Sequence, residues 1–181
     1  MDRIANRVGI VMGSASDLPA MEAAAAVLAA LEVGHEVRVI SAHRTPQAAA
    51  DYARQARERG IGVIIAGAGG AAHLSGAIAA NTSIPVIGVP LLLASGALGG
   101  FDALCSTVMM PAGVPVATVG IGGAENAGLL AAQILALSDS ELMARLEKRR
   151  QSMAERVADA DARVSAKFGA AGSEGKGSQS R

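Results

Sequence analysis

Short runs of β-branched and other apolar residues alternate along this chain with stretches whose apolar positions recur at helical spacing. Arg7 to Met12 reads as a strand closed by Gly13. The next segment, Ser14 to Pro19, reads as a helix start with Ser16 or Asp17 as the cap and Pro19 in the first turn. The Ala-rich run from Ala20 to Leu31 continues that helix, and Gly34 stops it. Glu36 to Ile40 is a second strand, followed by Ser41-Ala42-His43-Arg44-Thr45-Pro46 and a helix ending near Gly60. Gly62 to Ala66 is a third strand, fully apolar, and a Gly-Ala loop then opens a small-residue helix reaching about Asn81. Pro85 to Val89 and Val114 to Val119 supply two more strands, with a helix around Asp102 to Met109 between them. Glu125 to Leu137 is another helix.

Strand and helix in strict alternation, with strands apolar on both faces, predict a parallel sheet covered on both sides. Right-handed crossovers then give a three-layer α/β/α sandwich on a doubly wound sheet of Rossmann or flavodoxin-like type. The last helix, about Ser140 to Phe168, does not fit inside that sandwich. It would run roughly 40 Å at 1.5 Å per residue. Its apolar stripe is sparse: Leu142, Met143, Leu146, Met153, Val157 and Val164. Either it lies on its own subunit or it is an arm reaching a neighbour, and its length favours the arm. The expected organisation is an α/β catalytic domain at 1–137, a helical arm at 138–168 that packs in the oligomer, and a disordered Gly/Ser-rich tail at 169–181.

Composition adds a constraint on packing. The 181 residues include 40 Ala and 22 Gly but two Phe, one Tyr and no Trp, so rings cannot fill the core. Backbones must approach one another closely, or the chain must bury itself against other copies. The formal net charge is zero, from 16 basic and 16 acidic residues, which argues against a nucleic-acid partner. One cysteine, Cys105, cannot form an internal disulfide. Between Gly60 and Ala124 the only charged side chain is Asp102. That tract is long enough to raise a membrane reading, but His73, Asn81, Thr82, Ser83, Pro85 and Pro90 cut it into strand- and helix-length pieces. No basic loop flanks it, and Met1 to Arg7 precede no signal-peptide apolar region. The expectation is a buried tract in a soluble, cytoplasmic protein.

In open parallel sheets, ligands bind beyond the carboxyl ends of the strands. Three polar loops follow strands here and should open on one sheet edge. In the first, Gly13 allows a tight turn and Ser14 and Ser16 present hydroxyls at a helix N-terminus, a place for a phosphate; Asp17 can accept from sugar hydroxyls. The plainer alternative is that Ser16 and Asp17 only cap the helix. In the second, Arg44 offers a fork for phosphate or carboxylate, and His43 can give and take a proton near neutral pH, unless it merely bonds to backbone. No metal-ligand or nucleophilic-triad spacing accompanies it. The third, Gly67-Ala68-Gly69-Gly70-Ala71-Ala72, mimics a dinucleotide fingerprint, but no acidic residue follows before Asp102. Its glycines suit the approach of a substrate ring to the backbone, with His73 as an orienting donor. His35 reads as structural.

Several blocks, in order over about residues 7 to 137, resemble the bacterial N5-carboxyaminoimidazole ribonucleotide mutases (PurE, class I) of the AIR carboxylase family. They are Val11-Met12-Gly13-Ser14-Ala15-Ser16-Asp17, Ser41-Ala42-His43-Arg44-Thr45-Pro46 and Ile64 to Leu74, with Met110-Pro111-Ala112-Gly113-Val114-Pro115-Val116 and Asn126 to Leu135 extending the match. The resemblance to the class that uses free carbon dioxide is weaker, since that class has a different second loop and lacks the Gly-Gly-Ala-Ala-His block.

The resemblance implies a cofactor-free, metal-free isomerase of purine biosynthesis acting on a ribonucleotide. It implies His43 as general acid and base, and Ser16, Ser41 and Arg44 at phosphate positions. It implies Asp17 on the ribose hydroxyls, Ser14 as a further substrate contact, and Gly70, Ala71, His73 and Leu74 around the carboxylate. A cytoplasmic homo-octamer with shared sites is implied as well. Two departures stand out: Ser75-Gly76-Ala77 replaces the usual Pro and Gly-Met after His-Leu, and Met109 replaces a Gln before Met-Pro.

Overall fold

The computed structural model describes residues 6–93, 96 and 98–169. The predicted tail beyond Gly169 lies outside them. Two compact units divide the chain, the first ending at Leu142 and the second beginning at Met143. In the first, five parallel strands, β1 (Arg7–Met12), β2 (Gly34–Val39), β3 (Ile61–Gly69), β4 (Val86–Leu91) and β5 (Ala117–Thr118), lie in the order β2-β1-β3-β4-β5. This is the flavodoxin-like member of the doubly wound class, and its order reverses between β1 and β3.

The helices are α1 (Leu18–Ala30), α2 (Pro46–Gln55), α3 (Leu74–Ala79), α4 (Phe101–Val108), α5 (Ala124–Ala136) and α6 (Ser140–Gly169). α1 and α5 pack on one another over one face, while α2, α3 and α4 cover the other. Burial follows position in the sheet. Ile10, Ile64, Ile65 and Ile87 on the central strands are fully enclosed, each side chain stabilising the fold by about 1.5–3 kcal/mol. β2 breaks the expectation of strands buried on both faces. It is an edge strand, and Val39 is 55% exposed.

Element boundaries also depart from the sequence reading, most of all in β3 and β5. β3 continues through Gly67-Ala68-Gly69, because Gly67 pairs with Met12 on one side and Gly69 with Leu91 on the other. Tertiary pairing overrides the loop-forming tendency of those glycines. The strand expected at Val114 to Val119 shrinks to Ala117–Thr118. Pro115 has no N–H for a ladder, and Gly113 (φ 97°) turns the chain just before it.

The small-residue composition is used within the subunit. α1 and α5 meet where Gly128 lies against Ala24 and Val27, and Ala127, Ala131 and Ala132 of α5 are fully buried beside it. A Cβ on Gly128 would overlap the Val27 side chain and lie 3.0 Å from the Ala24 carbonyl oxygen. α6, most of which forms the second unit, is a single uninterrupted helix of 30 residues. Met153, Val157, Val164 and Phe168 on it are between 45% and 69% exposed.

Gly128→Ala weighs two effects against each other. Alanine gains about 1 kcal/mol of helix propensity. Overpacking against backbone costs about 1–3 kcal/mol. Since the obstructing atoms include the α1 main chain, the variant is expected to unfold at lower denaturant concentration. A raised midpoint would contradict this account of the helix contact.

Candidate active site

The reversal of strand order leaves a crevice at the carboxyl ends of β1 and β3, with the end of β2 beside it. Its volume is about 470 Å³. In the first loop, Ser14 is extended and caps a 3-10 turn, Ala15–Asp17, that precedes α1. The Ser16 N–H donates to Ser14 Oγ (3.3 Å), and the Ser14 N–H donates to Asp17 Oδ2 (3.1 Å). This reciprocal capping box gives the 3-10 turn its own capping hydroxyl, on Ser14 rather than Ser16. Asp17 occupies the N-cap position of α1 but makes no side-chain bond to that helix. The Ser16 hydroxyl donates to Ser14 Oγ at 2.9 Å.

The second loop is a turn closed by the Thr45 N–H on the Ser41 carbonyl (2.8 Å). Ser41 Oγ accepts from the Arg44 N–H (3.2 Å) and from Arg44 Nε (3.3 Å). Arg44 Nη2 then crosses to the first loop and donates to the Gly13 carbonyl oxygen at 2.8 Å. The guanidinium therefore ties two loops together while keeping further donors for an anion.

The third loop is shorter than the sequence implied, because β3 has absorbed its first three residues. Gly70 (φ 61°) and Ala72 (φ 46°) are both left-handed. For the alanine this costs roughly 1–2 kcal/mol. The Ala72 N–H donates to the Gly69 carbonyl (3.1 Å), and the Ser106 hydroxyl of α4 donates to the Ala71 carbonyl. Beyond them, His73 opens α3 without capping it. Its Nδ1 lies 2.7 Å from His43 Nε2, with the two rings edge to face at a centroid separation of 4.9 Å. Such a bond needs one nitrogen as donor and the other as acceptor, so the two rings are coupled through one proton.

All ten residues singled out in the sequence line the crevice: Ser14, Ser16 and Asp17 from the first loop, Ser41, His43 and Arg44 from the second, and Gly70, Ala71, His73 and Leu74 from the third. Sequence reasoning missed Leu93, which joins Ala42, Ala68 and Ala72 in the apolar wall, and it missed Ser106 behind the third loop. Apolar residues carry no chemical signature, and Ser106 stands 35 positions from its acceptor. His35 lies elsewhere, with Nδ1 3.0 Å from the Val33 carbonyl oxygen. Met109 does not line the crevice and is 79% exposed, while Ser75 is buried at 2%. Among the described residues, no group of three or more His, Cys, Asp or Glu is arranged to hold a metal. None of their helices is long and apolar enough to cross a membrane.

A family model described as AIR carboxylase matches residues 7–156. The chain belongs to the AIR carboxylase family. Within that family it is 58% identical over 158 residues to a protein of Mycobacterium tuberculosis (strain ATCC 25618 / H37Rv) named N5-carboxyaminoimidazole ribonucleotide mutase, an alignment spanning 87% of this chain and 90% of that one. A protein of the same name from Pyrococcus abyssi is 60% identical over 147 residues, 81% of this chain and 83% of its own. The crystal structure of Treponema denticola PurE superposes with a TM-score of 0.76 at 27% identity, covering 87% of this chain and 98% of that one. The five-stranded parallel sheet described above therefore carries the AIR carboxylase fold.

Burial raises the Asp17 carboxyl above the usual carboxylate range, opposed by the Ser14 N–H and by the charge of Arg44. A folded value above the unfolded one means that this group favours the native state most at low pH, and that the contribution is lost as pH rises through the raised midpoint. Arg44→Ala removes a lowering influence, so a carboxyl-detected NMR titration should move the Asp17 midpoint further up. A downward move would show that Arg44 does not act on Asp17 as the geometry requires.

Proposed function

We propose that this chain is an N5-carboxyaminoimidazole ribonucleotide mutase, the cofactor-free isomerase that moves a carboxylate from the exocyclic nitrogen of an aminoimidazole ribonucleotide to ring carbon 4. The observation that carries this reading is the meeting of His43, the Arg44–Ser41 anion site and the Gly70–Leu74 loop in one crevice. The mutase relatives, at 58% and 60% identity over most of the chain, support the choice of reaction.

In this mechanism the 5′-phosphate is held by Ser16, Ser41 and Arg44, with Ser14 as a further contact, and Asp17 accepts from the ribose hydroxyls. The carboxylate meets His73, Leu74 and the backbone at Gly70 and Ala71. The N–C bond to the carboxylate breaks and carbon dioxide is released, while His43 gives its proton to the exocyclic nitrogen. Carbon 4, made nucleophilic by the amine, forms a new C–C bond to the carbon dioxide and then loses its proton to His43. One imidazole serves both halves because the proton it gives is returned. The apolar wall of Ala68, Ala72, Leu74 and Leu93 suits retention of carbon dioxide between the steps.

The working form in this reading is a cytoplasmic homo-octamer whose subunits share sites. Leu92, Leu98, Phe101 and Met109 support it: each is at least 60% exposed on the first unit, and each is a large apolar side chain that a neighbouring subunit would cover. The helical arm at 138–168 is assigned to the same assembly, and its exposed Met153, Val157 and Phe168 support that role.

His43→Asn should leave the fold and ribonucleotide binding intact and lower turnover by at least about 10²–10⁴-fold, as expected for loss of a general acid–base group. Turnover near the wild-type rate, measured by conversion of the carbamate, would overturn the assignment. Truncation after Leu137 should reduce the native mass in light scattering below that of the full assembly. A chain that is monomeric both with and without α6 would refute the arm.

A further inference from the structure

We propose that Ser106 is a positioning residue of this site. Its hydroxyl fixes the peptide that presents His73 to His43. The inference deepens the isomerase reading and rests on it for its kinetic consequences.

The Ala71–Ala72 peptide is held at both ends. Its carbonyl oxygen accepts from Ser106 Oγ, and its N–H donates to the Gly69 carbonyl at 3.1 Å. Left-handed residues stand at Ala72 (φ 46°), which supplies the N–H, and at Gly70 (φ 61°), one residue before Ala71. Glycine adopts that conformation freely, whereas alanine keeps it only where its surroundings over-determine it. The next residue is His73, whose carbonyl accepts the first bond of α3 from Ala77 (2.9 Å) and whose ring lies 2.7 Å from His43. The orientation of one peptide therefore sets where the His73 ring begins.

Ser106 is suited to this because its own helix is fixed. The neighbouring Thr107 is buried and donates to the Ala103 carbonyl at 2.7 Å. Thr118 of β5 reaches back to the Thr107 carbonyl at 3.4 Å. The loop is thereby tied to a helix and a strand rather than to another loop. Ser106 is itself only partly buried, so loss of its hydroxyl removes the tether without opening the core. The freed peptide can then rotate, Ala72 can leave the left-handed region, and the His43–His73 contact loosens.

The chain has three histidines, which makes the test direct. Imidazole ¹⁵N spectra of the full-length protein should show His43 and His73 shifted or broadened in Ser106→Ala, with His35 unmoved as the internal control. Ser106→Thr, which keeps a hydroxyl, should retain the wild-type pattern. In the isomerisation assay kcat/KM should fall by about ten- to a hundredfold in Ser106→Ala and recover in Ser106→Thr. In a His73→Ala background, Ser106→Ala should cost less than about twofold more, because the two act through one element. Unmoved His43 and His73 signals in Ser106→Ala would overturn the proposal, as would losses that simply multiply in the double variant. An inactive wild-type protein would defeat the functional reading alone, since the spectra would still decide the role of Ser106.

Discussion

The parallel pairing of β1 with β3 is the constraint from which the site follows. With Met12 level with Gly67, and Met12 also level with Val39 of β2, three strands end on one edge within reach of one another. The chain leaves β1 for α1 on one face and β2 and β3 for α2 and α3 on the other. The crevice opens between these departures. Everything polar in it arrives on loops that the strand ends carry. A slip of that register would separate His43 from His73 without altering either residue.

Within the crevice, the loops are linked by few bonds, and each link joins a different pair of elements. Arg44 joins the second loop to the first through the Gly13 carbonyl. His43 and His73 join the second to the third. Ser106 joins the third to α4. Arg44 is thus both a structural strut and a phosphate ligand in the proposed mechanism. An Arg suits the double duty because its fork can hold a carbonyl on one side and keep donors free on another. The left-handed Ala72 is the cost of turning the chain sharply enough to aim His73 back across the sheet.

Much of this was legible in the sequence because it is written in local patterns. The alternation of apolar runs with helical spacing fixes the doubly wound class, and loops after strands carry the polar residues that meet in the crevice. Where sequence reading faltered, long-range contact decided the outcome. Gly67 to Gly69 look like loop but become strand because β1 and β4 offer partners on both sides. The Ser14 cap is written in the Ser-x-x-Asp spacing of Ser14 and Asp17, whereas the Ser106 tether depends on geometry that no spacing announces. The Ala and Gly abundance allows either close backbone contact or burial against other copies, and at α1 and α5 it serves the subunit itself, where Gly128 lies against the α1 backbone. The exposed Leu92, Leu98, Phe101 and Met109 are the part of the surface on which the proposed assembly still draws.

The central claim is that this crevice moves a carboxylate within one ribonucleotide rather than adding one from solution. The direct measurement supplies purified protein, without ATP or added metal, with either the N5-carboxylated ribonucleotide or AIR plus bicarbonate, and follows formation of the C4-carboxylated product. The account predicts efficient conversion of the carbamate and a strong preference for it. Equal or better turnover of AIR with bicarbonate, or no conversion of either, would contradict it.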